Sequence, residues 1–85
     1  MKIILFGTGC ELCREIAGNI EEAIKTVDFQ VEFEKTSDIS KMLSYGIKST
    51  PSVVINNQIV SISKPLSSDE MIILINERNS SEYPA

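Results

Sequence analysis

The chain has 85 residues, 42% apolar and 24% charged, with a formal net charge of −4 and no histidine. That length makes one small domain that buries only about 60–65% of its unfolded surface, so a large cofactor has little room and none is expected. The acidic balance argues against nucleic acid and anionic membrane as partners, since both need basic patches, and no apolar run approaches the ~20 residues of a membrane span.

Lys2 to Phe6 reads as a buried strand. Its apolar run, Ile3-Ile4-Leu5-Phe6, is too short for a signal-peptide core, so a cytoplasmic location is expected. Gly7-Thr8-Gly9 then lets the backbone turn, because glycine accepts positive φ. From Cys10 to about Val27 the spacing predicts a helix, with Leu12, Ile16, Ile20, Ala23, Ile24 and Val27 on one apolar stripe. Gly18 costs this helix roughly 1 kcal/mol relative to alanine, and close packing against the sheet is its expected reason.

Gln30 to Lys35 alternates, with Val31 and Phe33 on one face and Glu32 and Glu34 on the other, and reads as a strand. Strand, helix, strand implies a right-handed parallel crossover. Thr36-Ser37-Asp38 supplies capping side chains for a short helix marked by Ile39, Met42 and Leu43, with Gly46 as its stop. Val53-Val54-Ile55 and Ile59-Val60-Ser61-Ile62 flank Asn56-Asn57, a tight antiparallel hairpin. Ser67-Ser68-Asp69-Glu70 is a capping box before Met71, Ile72, Leu74 and Ile75. Residues 77–85 show no periodicity and read as a frayed tail, which leaves residues 1–76 as the domain.

The chemistry is concentrated in Cys10-Glu11-Leu12-Cys13, which holds both cysteines of the chain. Thiols at i and i+3 in a first helical turn are close enough to join as a disulfide, and the positive end of the helix favours thiolate. Thiolates attack disulfides and also bind soft metals, so the motif admits both chemistries. Without histidine, Cys-His catalysis and imidazole zinc sites are excluded, and two cysteines make half of a four-thiolate site. No metal ligand set is assigned. Cys10 stands at the helix start and should face solvent, whereas Cys13 leads onto the side of Ile16 and Ile20 and should be more buried. That asymmetry suits dithiol exchange, in which an exposed thiolate attacks and a protected thiol resolves the mixed disulfide. Arg14 favours the Cys10 thiolate and Glu11 opposes it. The plainer reading, two buried cysteines acting as small hydrophobes, fits poorly with a glycine-flanked position at a strand-to-helix junction. By spacing alone Pro51 is a strand-opening proline.

Taken together, Cys10-Glu11-Leu12-Cys13 after a first strand, Tyr45-Gly46-Ile47 closing a short helix, Thr50-Pro51 opening a hairpin and a final capped helix resemble the thioredoxin superfamily. The resemblance runs from Met1 to about Asn76, and Gly7-Thr8-Gly9-Cys10 with no extra strand and helix before it is most similar to the small glutaredoxin-like thioredoxins, including the redox-active disulfide protein 2 family. It implies an α/β fold of order βαβ-α-ββα, a four-stranded mixed sheet with helices on both faces. It implies that Cys10 attacks and Cys13 resolves, that Pro51 is cis and packs beside the disulfide, and that the backbone at Thr50 pairs with a substrate strand. Gly9, Glu11 and Leu12 would complete the substrate surface. The implied activity is thiol–disulfide exchange on a disulfide-containing protein, with a reductase or a low-molecular-weight thiol as electron donor and the chain acting as a monomer. Larger thioredoxins carry a buried aspartate that helps deprotonate the resolving thiol; the first strand here has no acid, so Cys13 has no assigned proton acceptor. The Gly-Gly turn with which glutaredoxins hold glutathione is replaced by Ser63-Lys64-Pro65.

Two other readings stay open. Ferredoxin-like heavy-metal domains also place a Cys-x-x-Cys pair after a first strand, which would make the chain a soft-metal chaperone. They usually have methionine where Thr8 stands, and they need an antiparallel hairpin straight after the first helix. A redox-inert binding module on the same fold is the third.

Overall fold

A computed structural model describes residues 1–81, with side chains described through Arg78. The order is β1 (Lys2–Phe6), α1 (Glu11–Thr26), β2 (Glu32–Thr36), α2 (Ile39–Ser44), β3 (Ser52–Ile55), β4 (Gln58–Ile62) and α3 (Ser68–Ser81). The strands form one mixed sheet in the order β2-β1-β3-β4. β1 runs parallel to β2, with Ile3 opposite Phe33, and antiparallel to β3, with Phe6 opposite Ser52. β3 and β4 form the antiparallel hairpin, with a register shift between Val53 and Val54.

β1 is apolar without alternation because both of its faces are covered. Ile3 and Leu5 join Ile16, Ile20, Met71 and Ile75 in the main core, under α1 and α3. Ile4 and Phe6 face the other way, against Val54 and Ile47, with Met42 and Tyr45 of the α2 region packed over them. Helices thus lie on both faces of the sheet. Burying an isoleucine or phenylalanine side chain of this kind stabilises by about 1.5–3 kcal/mol, so this double-sided central strand fixes the frame on which the motif is mounted.

Local chemistry sets the element ends. Asp38 caps α2 by accepting the Lys41 N–H at 3.2 Å, and Gly46 ends that turn at φ +79. The hairpin turn has positive φ at both Asn56 and Asn57, as the tightest two-residue connection requires. Ser67 and Glu70 form a reciprocal box: the Ser67 N–H donates to Glu70 Oε1 and the Glu70 N–H donates to Ser67 Oγ, each at 3.1 Å. Asn19 of α1 donates through Nδ2 to the Leu66 carbonyl at 2.7 Å and ties α1 to the approach of α3.

Three expectations change. β2 starts at Glu32 and ends at Thr36, a shift from the expected 30–35; Val31 precedes it and packs on the core. Gly18 is exposed, and a Cβ built there would meet nothing within 4 Å, so close packing is not its reason. α3 continues through Glu77 to Ser81 where a frayed tail was expected. Residues 66–83 contain neither glycine nor proline, so no breaker stands at that boundary. The rest of the expected tail, 82–85, lies outside the described residues.

Candidate active site

The motif sits where β1 hands the chain to α1. The Gly7 N–H donates to the Thr36 carbonyl at 3.0 Å, which carries the β1–β2 ladder one residue past β1. Gly9 then turns the chain at φ +83, and Cys10 becomes the N-cap of α1 rather than its first helical residue. The Cys13 N–H donates to Cys10 Sγ at 3.2 Å. The sulfur takes the place an N-cap oxygen would hold, so one unsatisfied amide of the first turn is aimed at it.

Cys10 and Cys13 are joined as a disulfide, with Cα atoms 5.0 Å apart. Cys10 is exposed and Cys13 is only 4% exposed, the asymmetry that their positions suggest. Gly9 and Glu11 are exposed beside Cys10. Leu12 is half-buried against the main core, so only part of it faces outward. Arg14 is exposed and lines a cleft with Gly9 and Cys13.

Gly7 has a role that spacing did not disclose. Its φ is not in the left-handed region; what it provides is room, because a Cβ there would lie 2.8 Å from Cys13 Sγ and 3.1 Å from Cys13 Cβ. The signal available in the sequence was a glycine three residues before Cys10, but turn-making and close approach look alike there.

Thr50 and Pro51, the other residues expected at the site, stand just ahead of β3. Since Phe6 pairs with Ser52, antiparallel register sets Pro51 across from Gly7, at the end of the sheet where the motif loop leaves. The Thr50–Pro51 peptide is cis, and Pro51 is buried. A serine network braces this corner. The Ser63 N–H donates to the Pro51 carbonyl at 2.6 Å, Ser63 Oγ lies 2.9 Å from Ser49 Oγ and donates to the Thr50 carbonyl at 3.3 Å, and Ser52 Oγ donates to the Ser49 carbonyl at 2.6 Å. The Thr50 carbonyl therefore already accepts one hydrogen bond. Ser63, at φ 54, was legible only as part of a turn.

A cleft of about 330 Å³ opens beside Cys13, between α1 and β2. Gly7, Arg14, Gly18, Glu21 and Lys35 are among its walls. Lys35 Nζ lies 3.5 Å from Glu21 Oε1 across it. Among the described residues, no group of three or more histidine, cysteine, aspartate or glutamate side chains is arranged to hold a metal ion, and no helix is long and apolar enough to cross a membrane. β2 pairs directly with β1 and is followed by α2, whereas the ferredoxin-like alternative needs an antiparallel hairpin straight after the first helix.

Comparison with known proteins adds the following. The family model described as thioredoxin domain matches residues 1–76. A curated thioredoxin of Methanothermobacter thermautotrophicus is 30% identical over 71 residues, covering 84% of this chain and 92% of that protein. A solved structure titled as that of a malarial protein superposes with a TM-score of 0.68 at 18% identity, over 89% of this chain and 93% of the other, and supports the fold.

Proposed function

The chain belongs to the thioredoxin domain family, and from that premise we propose that it is a thiol–disulfide oxidoreductase that reduces or exchanges protein disulfides through Cys10 and Cys13. The observation that carries the proposal is the pairing of an exposed Cys10, capped by an amide, with a buried Cys13 joined to it as a disulfide.

In the reduced protein the α1 N-terminus and the Cys13 N–H favour the Cys10 thiolate. The helix end contributes about 0.3–2 kcal/mol. That thiolate attacks a substrate disulfide sulfur; a Cys10–substrate disulfide forms and one substrate thiolate leaves. Cys13 then loses its proton and attacks Cys10 Sγ. The Cys10–Cys13 bond forms, the mixed disulfide breaks, and the second substrate thiolate leaves. Two electrons have passed to the substrate, and a reductase or a low-molecular-weight thiol returns them. Thr50 would pair with an extended substrate segment through its backbone N–H and the remaining lone pair of its carbonyl. The work is proposed to be done by a monomer in the cytoplasm.

The test is turnover of a protein disulfide with excess dithiol as electron source. The wild-type chain should catalyse it and Cys10→Ser should not. If Cys10→Ser keeps wild-type turnover, the proposal is wrong.

A further inference from the structure

Ser63 stands just past β4 with φ 54, in the left-handed region that serine seldom takes. Three contacts hold it there, and all of them end on residues 49–51. Its N–H donates to the Pro51 carbonyl at 2.6 Å, its Oγ lies 2.9 Å from Ser49 Oγ, and the same Oγ donates to the Thr50 carbonyl at 3.3 Å. A hydroxyl has one proton. With that proton on the Thr50 carbonyl, the Ser49 hydroxyl is the donor to Ser63, so the bonds run from Ser49 to Ser63 to Thr50. Ser49 is itself tied down: its carbonyl accepts from Ser52 Oγ at 2.6 Å, and Ser52 is fully buried in β3 opposite Phe6. Proline has no N–H, so the Thr50–Pro51 peptide offers a partner strand only its carbonyl. The direction of that acceptor decides whether a substrate N–H reaches it.

We propose that Ser63 is a positioning residue for substrate: its hydroxyl fixes the Thr50 carbonyl in the direction in which an extended cysteine-bearing segment pairs with it. This rests on the dithiol reading above. A carbonyl oxygen has two lone pairs. Ser63 fills one and leaves the other for the substrate N–H. A carbonyl already held costs less ordering when the substrate arrives than one free to tilt. Bonds in series also polarise one another, so the Ser49 contact strengthens the Ser63 one. The Ser63 side-chain bonds are exposed and the one to Thr50 is long, which keeps the effect to a few-fold. Since those bonds end on residues 49–51 and on neither cysteine, Ser63 acts on pairing and not on the reactivity of Cys10.

Exchange equilibria separate pairing from reactivity. In a Cys13→Ser background Cys10 is the one thiol. Its thiolate attacks a symmetric disulfide RSSR; the Cys10–SR bond forms, the RS–SR bond breaks, and RS⁻ leaves to be protonated by solvent. Two probes are compared: the disulfide of a blocked five-residue peptide with a central cysteine, and hydroxyethyl disulfide, which has no backbone to pair. Ser63→Gly accepts the left-handed backbone without penalty and removes the hydroxyl. It should lower the peptide exchange constant about threefold, the worth of one weak hydrogen bond, and move the hydroxyethyl constant far less. If Ser63→Gly does not fold, Ser49→Ala carries the same comparison with a smaller fall in the same direction. Constants that both stay put, or that move together, overturn the inference. Turnover of a protein disulfide by the chain with both cysteines keeps the two readings apart. No turnover with the peptide constant selectively lowered removes the proposed function and leaves the inference standing; turnover with that constant unmoved does the reverse.

Discussion

Gly7→Ala tests the packing of the site most sharply. The new methyl would lie 2.8 Å from Cys13 Sγ and 3.1 Å from Cys13 Cβ, well inside ordinary carbon–sulfur contact, so something has to move. Cys13 is buried on α1, whose apolar stripe is locked into the main core. Overpacking of this kind costs about 1–3 kcal/mol. The cost should divide unequally between redox states. In the disulfide Cys13 Sγ is tied to Cys10 and cannot swing away; in the dithiol it rotates freely about one bond, and only the Cβ contact persists. The oxidised form should therefore lose more stability than the reduced form. A difference of about 1.4 kcal/mol would make the reduction potential less negative by about 30 mV. Urea unfolding of both forms measures the two losses, and redox titration measures the potential independently. Equal losses in both forms with an unchanged potential would show that Gly7 is not kept open for the sulfur.

Gly18→Ala should do the opposite. The site is exposed and helical, with nothing within 4 Å of a new Cβ, so the substitution should stabilise by about 1 kcal/mol and raise the urea midpoint; a loss of stability would mean the glycine has a packing role after all. Glu34 is held below the usual carboxylate range, first by its hydrogen bond from Lys41 at 2.7 Å and then by Lys2, while Lys2 is held above its ordinary 10.5, mainly by Glu34. A lowered carboxylate stabilises above its unfolded value and loses that contribution as pH falls through the folded one; the raised Lys2 contributes below 10.5 and loses its share as pH rises through its own folded value. Glu34→Gln should thus be slightly less stable than wild type near neutral pH, with a deficit that fades at pH 3 and in high salt, since the groups are solvent-screened. A deficit of the same size at pH 3, by urea unfolding, would contradict the electrostatic origin.

The parts of the fold legible in the sequence are those encoded locally. The apolar run of β1, the Asn56-Asn57 turn and the Ser67–Glu70 box each carry their signal within a few residues, and each is found as read. The parallel crossover followed from element order. Tertiary neighbours decided the rest. Gly7 reads as part of a turn and Gly18 as a packed helical position, yet Gly7 faces a sulfur and Gly18 open space. Ile39 and Leu43 mark α2 by their apolar character but remain 66% and 56% exposed, while Met42 and Tyr45 supply the packing. Ser63 reaches the Thr50 carbonyl across 13 positions, and Lys35 meets Glu21 only because β2 lies beside α1. No short-range pattern carries contacts of that kind.

The central claim is that Cys10 attacks and Cys13 resolves. The most direct measurement is mass-spectrometric mapping of the mixed disulfide trapped by Cys13→Ser when it meets an oxidised protein substrate. The expected result is a stable adduct joined through Cys10, which clears in the wild-type chain as the Cys10–Cys13 disulfide forms. The contradicting result is no adduct with Cys13→Ser and a stable one through Cys13 with Cys10→Ser, which would reverse the roles assigned to the two thiols.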